Sequence, residues 1–226
     1  MTSTQLAPTI ESSPALRHLR DLIASYAKHS PVRSLAVVGN APLEASAERA
    51  AAIDACDVVF RCNSFILDTA DEARQGRTVE VAVFNRGLRA TPYSFDHYRD
   101  RLYMLVEPGR LHWEPDVRPD WWPSDLAIFN VPNREITLPL SDALGLASRT
   151  APVWATTGIM CAWMAHALFP GCELQLAGFS MIDDREQTHW DHAWGDSVVV
   201  GREHRLGPEG ALLESWIVSG SATFLR

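Results

Sequence analysis

Residues 34–40 read Ser-Leu-Ala-Val-Val-Gly-Asn, an unbroken apolar run that stops on a glycine. A strand with one wet face alternates apolar and polar residues, whereas an unbroken run marks a strand covered on both faces, as in a parallel sheet. The run is too short for a buried helix, and Gly39 with Asn40 supplies a tight turn at its end. The same pattern returns at 57–61, 79–84, 102–106, 126–129 and 173–177. Between these runs lie helical stretches. Leu16, Leu19, Leu22, Ile23 and Tyr26 recur at helical spacing over 14–29, with Ser13 as cap and Pro14 in the first turn. Residues 44–53, 136–147, 156–169 and 208–217 read as further helices. Prolines across 112–123 forbid regular structure and leave a long loop. Strands alternating with helices predict an α/β chain with a mainly parallel sheet flanked by helices. No internal break divides residues 1–226, so one domain is expected, with 1–12 loose.

Bulk properties narrow the partners. The net charge of -8 argues against nucleic acid or anionic lipid, since both require clustered Lys and Arg. No apolar run reaches the roughly 20 residues of a membrane span, and the N-terminus lacks the basic and apolar regions of a secretory signal. The four cysteines, Cys56, Cys62, Cys161 and Cys172, form no C-x-x-C pair, which fits free thiols in a cytoplasmic protein. Nothing in the sequence specifies the oligomeric state.

Four segments carry groups suited to chemistry. Gly39 lets backbone approach a ligand at the carboxyl edge of a sheet, and Asn40 can donate to a phosphate or ribose. A plain strand-to-helix turn accounts for the same residues. In the second strand Arg61 and Asn63 stand near the carboxyl end, where they can face the same crevice as Asn40. Thr156, Thr157 and Gly158 open an apolar helix, and free N–H groups at a helix start hold anions; an ordinary threonine cap fits equally. Finally, His189, His192 and His204 fall in a segment poor in regular structure. Histidine titrates near neutrality and suits general-base work or phosphate pairing. A metal site from His189, Asp191, His192 and Asp196 is the competing reading, although the spacing lacks the i, i+4 histidines of helical metal motifs.

In this order the segments resemble the sialyltransferase family, glycosyltransferase family 29. Residues 36–40 and 57–63 resemble its motif L. Residues 156–159 and 172–179 resemble motif S. His189-Trp190 resembles motif III, and His204 with Glu209 resembles the His-x4-Glu of motif VS. The resemblance implies a Rossmann-like, variant GT-A fold. It implies a metal-independent inverting glycosyltransferase that takes CMP-sialic acid, or a related CMP-activated acid such as Kdo, to a glycan hydroxyl. The CMP-sugar would be a co-substrate, with no cofactor. The absence of any D-x-D triplet agrees with a monophosphate leaving group, which helix N–H groups and a histidine can serve. By motif, Gly39, Asn40, Asn63, Thr156, Thr157 and Gly158 would hold the donor, with Arg61 in support. His189 would pair with the departing phosphate, His204 would be the base, and Glu209 would orient the loop. Animal-type members bridge a motif L cysteine to the motif S cysteine. Here that stretch reads Ser34-Leu35, so Cys172 lacks such a partner. Trp113, Trp121 and Trp122 of the middle loop could stack an acceptor sugar or simply pack the loop. Two other classes remain open: a metal-dependent hydrolase on the His/Asp cluster, and a non-catalytic nucleotide-binding module.

Overall fold

The computed structural model describes residues 10, 12–87, 90–107 and 116–226. Seven strands form one sheet: β1 (Ser34–Val38), β2 (Val58–Cys62), β3 (Val81–Phe84), β4 (Leu102–Leu105), β5 (Phe129–Asn130), β6 (Glu173–Ala177) and β9 (Thr223–Phe224). Their order is β5-β4-β3-β2-β1-β6-β9, and every pairing is parallel. The helices are α1 (Pro14–Ala24), α2 (Ala47–Ala55), α3 (Leu138–Ala143), α4 (Thr157–Leu168) and α5 (Leu206–Val218). The architecture is a Rossmann-like α/β sheet covered on both sides, as the unbroken apolar runs require.

Strand alternation assigns each residue to a face. Leu35, Val37, Val58, Phe60, Val81 and Val83 enter the main core together with residues of α1, α4 and α5. Ala36, Val38 and Val59 pack on Ile53 of α2. Ala82, Phe84, Tyr103 and Leu105 meet Phe65 and Trp122 in a separate cluster on that second side. Ile10 is buried in the main core, while the rest of the segment expected to be loose falls almost wholly outside the described residues.

Several elements depart from expectation for identifiable reasons. Helix α1 ends at Ala24 rather than 29, because Lys28 turns toward α2 and its amine donates to the carbonyls of Asp54 at 2.8 Å and Cys56 at 2.9 Å. Helix α3 stops before Gly145, which adopts φ +66°, a left-handed terminator natural to glycine. Strand β5 shrinks to two residues just ahead of Pro132. The segment expected to lack regular structure contains an antiparallel hairpin, β7 (His189–Asp191) and β8 (Ser197–Val199), and β9 extends the sheet beside β6. Among the described residues no helix is long and apolar enough to cross a membrane, and all four cysteines are free.

The sheet order fixes where a ligand can sit. From β1 the chain winds outward through β2, β3, β4 and β5, then β6 returns to the opposite side of β1. The crevice at the carboxyl ends of β1 and β6 is therefore the switch point, the ligand position of open α/β sheets.

Candidate active site

Gly39 closes β1 and Gly178 follows β6, and they meet at this point. A Cβ on Gly39 would lie 2.2 Å from the Gly178 carbonyl oxygen, and one on Gly178 would lie 2.7 Å from that of Gly39. Gly178 also holds φ +69°. Only glycine satisfies both the contact and the dihedral. Above them opens a cavity of about 420 Å³ lined on one side by strand ends and the start of α4, and on the other by the β7–β8 hairpin and the loop after it.

Three adjacent strands each end in an asparagine that lines this cavity: Asn40 after β1, Asn63 after β2 and Asn85 after β3. The Asn40 amide donates to the Cys62 carbonyl at 2.9 Å, tying β1 to β2. Asn63 adopts φ +51°, a left-handed conformation that asparagine tolerates, and its side-chain oxygen accepts the Asn85 N–H. The Asn85 amide in turn donates to the Thr157 hydroxyl at 3.2 Å. Asn85 is a residue that sequence reasoning missed. The recurrence of asparagine after successive strands was the available signal.

Helix α4 points its N-terminus at the same cavity. The Thr156 hydroxyl accepts the Ile159 N–H at 3.4 Å as the cap. Thr156 also donates its backbone N–H to Glu209 Oε1 at 3.1 Å and its hydroxyl to Oε2 at 2.7 Å. Glu209 is fully buried, and burial pushes its carboxyl up to about 7 against the pull of those bonds. This carboxyl therefore fastens α5 to the start of α4 and does not line this cavity. Gly158 leaves only 3.1 Å between a hypothetical Cβ and the Phe179 ring, so bulk at the helix start is restricted.

His204 lines the cavity beside the segment that leads into α4, where the Trp154 N–H donates to the Glu203 carbonyl at 3.0 Å. A carbonyl oxygen can only accept, so the 3.1 Å contact between His204 Nδ1 and the Trp154 carbonyl fixes the proton on Nδ1. Nε2 is left with its lone pair, and its ring lines the cavity. Burial lowers the pKa below the ordinary histidine value, which favours the neutral base. Glu203 places Oε1 3.8 Å from Nε2.

His192 also lines the cavity, with Nδ1 on Asp196 Oδ1 at 2.5 Å and its ring stacked on Trp194 at 4.3 Å. The hairpin tip that carries it is pinned to the strand edge by the Ala193 N–H, which donates to the Asn40 carbonyl at 2.8 Å.

The structure corrects several sequence-level expectations. Arg61 does not face the crevice. Its strand is buried on both sides, and the guanidinium donates to the carbonyls of Thr78 and Gln75, with burial lowering its pKa to about 10. His189 is exposed on β7 and does not line the cavity. The residues that follow it, Trp190, Asp191 and His192, do. Trp122 is buried among Phe84, Phe95 and Tyr103 and donates its indole N–H to the Leu126 carbonyl, so it packs the loop. Trp121 stacks edge-on against Phe95 outside the cavity. Trp113 lies outside the described residues. Among the described residues no three His, Cys, Asp or Glu side chains converge to hold a metal, so the cluster invoked for a hydrolase does not assemble.

No protein-family model and no curated protein matches the sequence. The fold, in contrast, is similar to a crystal structure of a mammalian sialyltransferase, with a TM-score of 0.55 and 15% identity over 93% of this chain and 79% of that one. A second mammalian sialyltransferase structure, in complex with Gal-beta-1-3GalNAc-ortho-nitrophenol, gives 0.57 and 17% over the same shares. At these identities the likeness is one of architecture: the chain has the fold in which sialyltransferases are built.

Proposed function

We propose that the protein is an inverting, metal-independent glycosyltransferase that moves an acidic sugar, sialic acid or a Kdo-like acid, from a CMP-sugar to a glycan hydroxyl. The observation that carries this reading is the fixed tautomer of His204, a base with its Nε2 lone pair free in the same cavity as a helix N-terminus. The fold shared with sialyltransferases supports the class. Asn40, Asn63 and Asn85 form the hydrogen-bonding floor for the nucleotide, and Thr157 and Gly158 offer the helix start to an anionic group of the donor. His204 Nε2 takes the proton of the acceptor hydroxyl as its oxygen bonds to the anomeric carbon. The bond from that carbon to the phosphate oxygen breaks, and CMP leaves with the electron pair. Its charge falls to the helix N–H groups and to the ring of His192, whose Nδ1 is held by Asp196. This role, expected of His189, passes to His192 because only the latter lines the cavity. The four free thiols suit a reducing compartment such as the cytoplasm.

A thermal-shift screen tests the donor class, because a ligand stabilises the state that binds it. CMP is expected to raise Tm selectively over UDP, GDP and NAD. A protein stabilised by none of the cytidine nucleotides would not fit this reading.

A further inference from the structure

The cavity has two unlike walls. The strand ends and α4 present amides, hydroxyls and helix N–H groups. The hairpin wall presents Trp190, Trp194, Val198 and Val199, with the two valines 46% and 66% exposed. Large apolar side chains left open beside polar groups mark a surface that something covers. His204 follows Val199 by five residues and is tied through Nδ1 to the Trp154 carbonyl just ahead of α4, so the base stands where the exit of the hairpin meets the helix start, within reach of a molecule lying along the hairpin. Indole and valine surfaces match the apolar face of a pyranose or an apolar aglycone.

Charge sharpens the choice. Asp191, Asp196 and Glu203 all line this cavity, and among the described residues no Lys or Arg does. The Glu203 carboxylate lies over Gly201, where a Cβ would come within 2.4 Å of it, so this glycine makes room for the carboxylate beside the base. The groups that can hold an anion here, the helix start and the His192 ring, are the ones the donor phosphate takes in that reading.

Resting on the donor reading above, we propose that the β7–β8 hairpin is the acceptor subsite and that it selects a neutral glycoside with an exposed apolar face, rejecting anionic acceptors. Trp194 and Trp190 stack the sugar, and Glu203 accepts a hydrogen bond from a neighbouring hydroxyl.

The test compares a hexopyranoside with the hexuronide of the same aglycone, using the full chain and CMP-sialic acid. The neutral acceptor is expected to show a kcat/KM higher by on the order of tenfold or more, with Glu203→Gln narrowing the gap. Trp194→Ala should raise the acceptor KM about three- to tenfold with CMP affinity retained in calorimetry, and Trp194→Phe should recover part of the loss. Equal use of the uronide, or an acceptor KM unmoved by Trp194→Ala while CMP still binds, overturns the subsite and leaves the donor reading standing. Failure of the unsubstituted protein to bind CMP overturns both.

Discussion

His204 illustrates how one backbone contact can set the chemistry of a side chain. The Trp154 carbonyl fixes the tautomer, and burial outweighs the pKa-raising effect of that bond and of Glu203. A base whose pKa lies below the ordinary value is deprotonated across neutral pH. The acid limb of kcat/KM is therefore expected below 6.5, with a plateau above it, and a limb at or above that value would contradict the assignment. His204→Ala should lower transfer by about 100- to 10,000-fold while CMP still binds. Glu209 behaves in the opposite sense. Its folded-state pKa of about 7 exceeds the ordinary 4.5, so its contribution to stability is complete below 4.5 and is lost as pH rises through about 7. Glu209→Gln should flatten that part of the Tm-pH curve. Glu209→Ala should cost about 1–3 kcal/mol in denaturant titration, because the buried N–H and hydroxyl of Thr156 lose their acceptors. At this scale the sequence reveals residue types better than directions. His204 and the asparagines Asn40 and Asn63 are where their segments suggest. Arg61 is drawn into the interior by backbone carbonyls and His189 stands exposed outside the cavity, neither of which can be read from a histidine or an arginine alone.

Among the elements, the two switch-point strands are the most demanding. Gly39→Ala drives a Cβ into the Gly178 carbonyl, a backbone group that cannot swing aside. Destabilisation of about 1–3 kcal/mol is expected from denaturant unfolding, with weaker CMP binding because β1 and β6 must part. Gly207→Ala provides the contrast. Its Cβ meets open space within the first turn of α5, and a gain of about 0.4–1 kcal/mol is expected. The strands of the parallel sheet were legible because each is an apolar run, and α4 was legible from its threonine cap and apolar length. The β7–β8 hairpin was not. Its strands have three residues each, its valines are exposed, and it is held by the packing of Trp190 on the core and a hydrogen bond from Ala193 to Asn40, far away in sequence. Local pattern holds no trace of such a contact.

For the whole molecule, the position of the cavity follows from topology. The return of β6 to the far side of β1 creates the crevice, and that return is a long-range pairing invisible to any local window. What the sequence did contain was the order of the motif-like segments, which anticipated that residues near 40, 63, 156 and 204 share one site. The chain bears a net charge of -8 and lines its cavity without Lys or Arg among the described residues, so an anion bound there would be met by helix N–H groups and histidine. Proton NMR of a reaction containing the purified protein, CMP-sialic acid, a neutral glycoside acceptor and a metal chelator decides whether the proposed transfer occurs. One CMP released per sugar transferred, inverted anomeric configuration in the product and no loss of rate with the chelator are expected. Absence of transfer, retention of configuration or dependence on a divalent ion would contradict the proposal.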